Sequence, residues 1–192
     1  IYAPNESVFV IKDVASLKAF AAEATLSTKD ALFVADVDMT GEAWTPIESY
    51  AGTVHGNGYS IKGLTAPLFG ITNAIIKGLH LTNVNINETV TPNVGALARR
   101  IMLPASGISA TVEHCSVSGK ISVHTPNFKF DNEQGEYAPF AIGGLIGTSY
   151  GLIISDCVNE ADLEVKEILD LSSIPEGKTP RPRIGGVVGA LN

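Results

Sequence analysis

Apolar residues along this chain recur in short groups with a common spacing. The stretches "AIIKGLHLTNVNI", "ATVEHCSVSGKISV" and "GLIISDCVNEADLEV" begin at residues 74, 110 and 151 and align with one another. Two apolar columns result from this alignment, three residues apart: Ile76, Val112 and Ile154, then Leu79, Cys115 and Cys157. We therefore interpret the three stretches as copies of one structural unit.

The units continue with a second apolar pair and are preceded by glycine-rich phrases. Ile121 and Val123 coincide with Leu163 and Val165, and the pair Val84 and Ile86 matches them after a one-residue shift. "VGALA" begins at residue 94, "IGGLIG" at 142 and "IGGVVG" at 184, and "PLFG" precedes the first stretch. The pattern predicts a glycine-containing strand, a turn, a strand with alternating apolar residues and a third short strand.

A few short strands cannot bury an apolar face alone, whereas stacked copies form continuous interior columns. Each strand would then pair in parallel with its equivalent in the next copy. The strands are β-branched and bounded by glycine and asparagine, as expected. We predict an all-β chain, a right-handed parallel β-helix (β-solenoid), with an N-terminal capping helix.

The N-terminal part departs from the repeat. Asp13–Ala24 has apolar residues at helical spacing, with Leu17 and Phe20 on one face, and Asp13 is placed to cap the helix. "DALFVADVDMTG" then predicts one strand ending in a turn. We divide the chain into a cap with leader strands, residues 1–52, and coils, residues 53–192, that we expect to continue in a longer protein.

The glycine phrases resemble the GLUG motif of bacterial surface proteins, a motif also found beside some IgA-cleaving peptidases. The block "VADVDMTGEAWTPIESYAGTVHGNGYSIKGL" resembles the leader that often introduces such repeats. His55 stands where the leader usually has Asp, and Ala96 replaces a second glycine. The resemblance implies a right-handed parallel β-helix on a secreted or surface-anchored, adhesin-like protein.

Composition and charge restrict the classes of function. Of the 192 residues 45% are hydrophobic and 17% charged, and the formal net charge is −7. Without a basic stripe we expect no nucleic-acid partner. The longest uncharged run, residues 137–155, contains four glycines and Pro139, so we expect no membrane insertion by this segment. No Cys/His spacing typical of a metal site is present, and we expect no metal and no cofactor.

Candidate catalytic residues have simpler structural interpretations. Asp36 and Asp38 alternate as paired glycosidase carboxylates could, but we expect them to bind backbone amides or solvent at a strand end. We interpret His55 as a turn residue without an identifiable serine, cysteine or carboxylate partner. We expect His80 and His114 to face solvent. Since Cys115 and Cys157 occupy a predicted interior column, we expect reduced, buried thiols.

The segment "HTPNFKFDNEQGEYAPF", residues 124–140, is the most conspicuous interruption of the repeat. It combines aromatic residues, which stack on sugar rings, with carboxylates that accept hydroxyl protons. An alternative is a flap whose aromatic side chains pack on the coil. The ligand-binding residues that we predict are Phe128, Phe130, Asp131, Glu133 and Tyr137.

Together these observations predict a non-enzymatic, extracellular or cell-surface segment that is adhesin-like and binds a glycan. The expected partner is a host or microbial glycan or a surface protein. Two alternatives remain open: a structural stalk that carries another domain, and a noncatalytic part of a carbohydrate-active enzyme such as a polysaccharide lyase or hydrolase.

Overall fold

The computed structural model describes residues 8–25, 27–89, 93–102, 110–124, 141–166 and 183–191. Within these ranges the chain contains one helix, α1 (Val14–Ala24), and strands β1 to β19 in four sheets. Sheet A contains β1 (Phe9–Ile11), β2 (Ala31–Phe33), β5 (Thr53–His55), β8 (Ile75–Lys77), β12 (Ala110–Glu113) and β16 (Leu152–Ser155). Sheet B contains β3 (Val37–Asp38), β6 (Ser60–Lys62), β9 (His80–Glu88), β13 (Ser116–His124) and β17 (Val158–Lys166).

Two further sheets complete the described part of the chain. Sheet C contains β4 (Ile47–Tyr50), β7 (Phe69–Thr72), β11 (Ala98–Ile101), β15 (Ile146–Ser149) and β19 (Val188–Leu191). Sheet D contains β10 (Asn93–Val94), β14 (Ala141–Gly143) and β18 (Arg183–Gly185).

The chain visits the sheets in a fixed order. From β2 onward it passes through sheets A, B and C and then begins again, and from β10 onward a strand of sheet D stands between B and C. We call each such passage a circuit. Every pairing between described strands is parallel. The prediction of an all-β chain built from parallel sheets is confirmed.

The predicted apolar columns are present. Val112 lies in register with Ile76 on one side and with Ile154 on the other. In the second column, the backbone N–H of Val158 donates to the carbonyl of Cys115 (3.0 Å), which places Cys157 directly after Cys115 in the stack. Burial decreases along both columns, because Ile76 and Val112 are buried whereas Ile154 and Cys157 are half-buried.

The register of β9 corrects one part of the alignment. Ile121 and Val123 pair with Leu163 and Val165 as predicted, but Ile121 faces Ile86, and Val123 faces Glu88. The one-residue shift therefore runs opposite to our prediction. Its cause is a β-bulge between Val117 and Gly119, where Asn83 adopts a φ of 50°.

Glu88 consequently occupies a position that valine occupies in the next circuit. Its carboxylate is 3.0 Å from Nη2 of Arg99, and only 9% of its side chain is exposed. Pairing with the guanidinium lets a carboxylate lie at the edge of an apolar column.

Each of the three glycine phrases forms two short strands, one in sheet D and one in sheet C, where we predicted a single glycine-containing strand. At Gly147 a Cβ atom would lie 2.6 Å from the carbonyl oxygen of Arg99 and 2.8 Å from the backbone nitrogen of Val94. Glycine is thus required at this close approach between adjacent circuits.

The corner between sheets A and B has left-handed backbone conformations that the sequence pattern did not reveal. Gly78, His114 and Asp156 precede the second column in successive circuits and have φ values of 61°, 52° and 52°. The corner therefore keeps its conformation even where glycine is replaced by a residue that adopts it less readily.

Helix α1 confirms the predicted N-terminal helix. Asp13 is the N-cap, its carboxylate accepts a hydrogen bond from the backbone N–H of Ser16 (2.8 Å), and the Ser16 hydroxyl completes a capping box. This hydrogen bonding lowers the pKa of the Asp13 carboxyl. Leu17 and Phe20 are buried, and Phe20 packs against Phe9 and Tyr50 at ring-centroid distances of 5.2 Å.

The single strand predicted for "DALFVADVDMTG" is wrong. The segment forms β2 and β3, which belong to different sheets, because the chain turns a corner between Phe33 and Val37. Apolar residues continue through the corner at Val34, Ala35 and Val37, so the pattern alone did not distinguish one strand from two.

Candidate functional site

The five predicted ligand-binding residues, Phe128, Phe130, Asp131, Glu133 and Tyr137, lie outside the described residues. Their segment follows His124, the last residue of β13, and precedes Ala141, the first residue of β14. Along the chain, residues 167–182 follow β17 and precede β18, and they too lie outside the described residues.

The carboxylates considered as a catalytic pair hold backbone groups in place. Asp36 accepts from the backbone N–H of Ser60 (2.7 Å), and Asp38 accepts from that of Thr40 (3.0 Å). The ammonium group of Lys62 also donates to Asp38 (2.8 Å). Hydrogen bonds from Lys62 and Thr40 lower the pKa of the Asp38 carboxyl, so it stays ionised. The prediction that both carboxylates bind backbone amides is confirmed.

His55 has a carboxylate neighbour that the sequence did not reveal. Its Nε2 lies 3.5 Å from Oδ2 of Asp30, and Oδ1 of the same carboxylate accepts from the backbone N–H of Thr53 (3.0 Å). His55 ends β5 immediately before the turn at Asn57 and Gly58. Asp30 joins two neighbouring circuits in this arrangement, which we interpret as structural.

The two other histidines of sheet corners differ. His114 is exposed, as predicted, and its Nε2 lies 3.5 Å from Asp156. His80 is half-buried, because its Nδ1 is 2.8 Å from the hydroxyl of Ser116 in the next circuit. The prediction that His80 faces solvent is therefore only partly correct.

The long strands of sheet B present an ordered polar surface, which we call the B face. Alternate residues of β9, β13 and β17 point away from the core, because the residues between them are in the apolar columns. In-register pairing places these outward residues in rows across the three strands: Asn85, Lys120 and Asp162; then Asn87, Ser122 and Glu164; then His124 and Lys166.

A depression of about 480 Å³ lies on the B face. Its lining is formed by Asn85, Asn87, Thr89, Lys120, Ser122, Val123, His124, Glu164 and Lys166. This volume lies in the usual range of small-ligand sites. Most of the lining side chains carry amide, hydroxyl, ammonium, carboxylate or imidazole groups, so the depression offers hydrogen-bond donors and acceptors.

Glu164 is the electrostatic centre of the depression. Lys120 lies 2.8 Å from its carboxylate, Lys166 lies 2.6 Å away, and the Ser122 hydroxyl donates to it (3.1 Å). Hydrogen bonds from Lys120, Lys166 and Ser122 lower the pKa of the Glu164 carboxyl to about 2, and the same contact raises the pKa of the Lys120 ammonium group. The charges of Glu164 and Lys120 therefore persist at neutral pH.

The chemistry of the B face suits recognition more than catalysis. Glu164 is held ionised, so it is poorly suited to donate a proton near neutral pH. Among the described residues, no group of three or more His, Cys, Asp or Glu side chains is arranged to hold a metal ion. Fixed amide, hydroxyl and charged groups on a rigid sheet can instead hydrogen-bond a polar ligand.

The described part of the chain also has no helix with the length and apolar character needed to cross a membrane.

Sequence reasoning missed the B face, although a signal was present. "HLTNVNINE" and "SVSGKISVH" alternate apolar and polar residues, and we used only the apolar positions to define the repeat. The polar positions of the same strands identify the outward rows once the register is known.

Comparisons with known proteins agree with this architecture. The family model of the M26 IgA1-specific metallo-endopeptidase N-terminal region matches residues 30–119, somewhat less than half of the chain. The matched residues begin just before β2 and end within β13. The match is to an N-terminal region of such an enzyme.

A crystal structure described as a putative immunoglobulin A1 protease from Bacteroides ovatus has a similar fold. The TM-score is 0.61 at 12% sequence identity, and the similarity covers 98% of the present chain. The chain spans 63% of the length of that structure's chain. At this identity the likeness concerns the fold. No curated protein is detectably similar to the chain in sequence.

Proposed function

We propose that this chain is a noncatalytic recognition segment of a longer extracellular or cell-surface protein, and that it binds a glycan chain on the B face. The proposal brings together the similarity to the N-terminal region of an IgA1-specific metallo-endopeptidase and the chemistry of sheet B. In such a protein the segment would hold a glycosylated partner near a catalytic domain outside the present sequence.

The proposal includes a specific architecture. The repeated A, B, C order and the parallel pairing support a right-handed parallel β-helix, and the glycine phrases support GLUG-type repeats. The division into a cap at residues 1–52 and coils at 53–192 is part of the same proposal. A stack of this kind provides a rigid surface that several circuits build together.

The observation that carries the proposal is the in-register arrangement of polar side chains around the depression. Asn87, Ser122 and Glu164 form one row across three strands, and Lys120 lies in the row beside it. Sugars present many hydroxyl groups at short intervals, and a row of amide, hydroxyl and carboxylate groups supplies matching partners. Because the sheet holds these groups in place, little ordering is required on binding.

The aromatic segment at residues 124–140 is the proposed second contact. Phe128, Phe130 and Tyr137 would stack on sugar rings while Asp131 and Glu133 accept hydroxyl protons. His124 lines the depression and begins this segment, so the two proposed contacts adjoin along the chain. We expect modest affinity with little dependence on salt, because the recognised groups are mainly uncharged.

Glycan-array binding tests the proposal. The array should include glycans of host glycoproteins, with intact immunoglobulin A1 as an additional probe because of the family similarity. We expect the wild type to bind a defined subset of glycans and Asn87→Ala/Ser122→Ala to lose at least ten-fold in signal. Absence of binding by the folded wild type would contradict glycan recognition and favour a structural stalk.

A variant with Phe128, Phe130 and Tyr137 changed to Ala tests the second contact separately. Loss of binding in this variant, with the fold retained by circular dichroism, would support the aromatic segment as part of the site. Equal binding would restrict the site to the B face. Cleavage of any polysaccharide by this segment alone would contradict the noncatalytic assignment.

A further inference from the structure

The two cysteines of the chain are brought together by the stacking of circuits. Cys115 precedes β13 and Cys157 precedes β17, and the next residues, Ser116 and Val158, are in register. Adjacent strands are about 4.8 Å apart, which lies within the Cα separations of about 4.4–6.8 Å that disulfides span. The topology thus places side by side two thiols that are 42 residues apart in sequence.

The two side chains also have the same orientation. Sγ of Cys115 lies 3.2 Å from the carbonyl oxygen of Glu113, and Sγ of Cys157 lies 3.2 Å from that of Ser155. Glu113 and Ser155 are themselves in register. Each thiol therefore occupies the same corner of its circuit and faces the same direction.

The environments of the thiols differ in a way that suits stepwise chemistry. Cys115 is buried, whereas Cys157 is half-buried at the outer strand of sheet B. The hydrogen bond with Cys115 lowers the pKa of the Cys157 thiol to about 7, while that contact and burial raise the pKa of Cys115. Cys157 is thus the accessible nucleophile, and Cys115 is the protected thiol beside it.

We propose that Cys115 and Cys157 form a reversible disulfide that links two adjacent circuits, with a low-molecular-weight disulfide such as oxidised glutathione as the oxidant. The Cys157 thiolate attacks one sulfur of the oxidant, forms a mixed disulfide and releases one glutathione thiolate. Cys115 then loses its proton and attacks Sγ of Cys157, which forms the protein disulfide and releases the second thiolate. The two cysteines are oxidised, and the oxidant is reduced to two thiols.

Stacked parallel positions separate the Cβ atoms by about the strand spacing, which exceeds the mean of about 3.8 Å in disulfides. The bond therefore requires a small adjustment of the corner, and a strained disulfide is reduced more readily. We expect a bond that thiol reagents reverse. This proposal is independent of glycan binding, since neither cysteine lines the depression on the B face.

The test treats the folded wild-type chain with oxidised glutathione at neutral pH, alkylates the remaining thiols and identifies the products by mass spectrometry. We expect a peptide pair joined through Cys115 and Cys157, which dithiothreitol separates again. The oxidised form should unfold about 5 °C higher than the reduced form, because the bond constrains the unfolded chain.

Two variants test the order of steps. Cys115→Ala should retain a mixed disulfide with glutathione on Cys157, because the second thiol is missing. Cys157→Ala should leave Cys115 unmodified over the time in which the wild type reacts completely. The proposal is overturned if the wild type keeps both thiols, if it stops at the mixed disulfide, or if Cys115 reacts equally fast without Cys157.

Discussion

The first and the last circuits follow the same order of sheets A, B and C, but their surroundings differ. At the N-terminal end, α1 covers the stack, and Phe20, Tyr50 and Phe69 are almost completely buried in one aromatic series. In the last circuit, Ile184 and Leu191 are 55% and 65% exposed. Among the described strands, β16 to β19 have a neighbouring strand on one side only. The same holds for β3 and β4 in the first circuit, but α1 packs against these two strands.

The difference shows that burial in this fold depends on neighbours more than on the residue itself. Ile76 and Ile154 are the same amino acid in the same column, yet Ile76 is buried and Ile154 is half-buried. In a stacked architecture, each circuit is stabilised mainly by contact with the circuits beside it. Equivalent substitutions should therefore have unequal effects along the stack.

The largest effect is expected at the cap. Phe20→Ala should reduce the free energy of unfolding by about 3–5 kcal/mol, because it leaves a cavity between Phe9 and Tyr50. Urea unfolding of both proteins measures the difference. Leu17→Ala should cost about 2–5 kcal/mol at the adjacent buried position. Unchanged stability in both variants would mean that α1 is a loose appendage.

The matched substitutions Ile76→Ala and Ile154→Ala compare a buried and a half-buried isoleucine of the same column. We expect a loss of about 2–5 kcal/mol for Ile76→Ala, and about half of that for Ile154→Ala, because less apolar surface is buried at Ile154. Chemical unfolding under identical conditions gives both values. Equal losses would contradict the dependence on neighbouring circuits.

A substitution at an outward position of the last circuit should change the free energy of unfolding least. Ile153 is 55% exposed on sheet A and pairs in register with Thr111. Ile153→Thr introduces the residue type found at the equivalent position of the previous circuit, and we expect a change within about 0.5 kcal/mol. Thermal unfolding checks this value. A loss as large as that of Ile154→Ala would show that Ile153 is covered in solution.

The pKa of Glu164 tests the contacts described for the B face. We expect only a small effect on stability from these contacts. NMR detection of its carboxyl carbon should give a pKa of about 2, below the usual value of 4.5. Lys120→Met should raise this pKa, because it removes an ammonium group that lies 2.8 Å from the carboxylate. Since the folded-state pKa is lowered, the contribution of Glu164 is present above its usual pKa and is lost as the pH falls toward 2.

A pKa near 4.5 for Glu164 in the wild type would show that the contacts with Lys120 and Lys166 are not maintained in solution. Lys77→Met is the matched control, because Lys77 pairs with Glu113 on sheet A and does not contact the B face. This control should leave the titration of Glu164 unchanged.

Much of the architecture could be predicted because stacking repeats the same physical requirement in each circuit. Ile76, Val112 and Ile154 revealed the register, and the helical spacing around Leu17 and Phe20 revealed the cap. The bulge at Asn83 could not be predicted in its direction, because one inserted residue is compatible with two alignments of an alternating pattern.

The candidate site was less predictable, because it depends on register between residues far apart in sequence. Ser122 and Glu164 are ordinary polar residues of two strands, and only pairing between β13 and β17 joins them. The same reason explains why Asp30 was not recognised as a neighbour of His55. The aromatic segment was conspicuous by composition, and its role stays a prediction.

Isothermal titration calorimetry with the strongest glycan from the array tests the central claim most directly. Asn87→Ala/Ser122→Ala removes two side chains from the B face, whereas Lys77→Ala/Thr111→Ala removes two outward side chains from sheet A as a matched control. We predict at least a ten-fold rise in Kd for the B-face variant and an unchanged Kd for the control. Equal affinities of the wild type and both folded variants would contradict recognition by the B face.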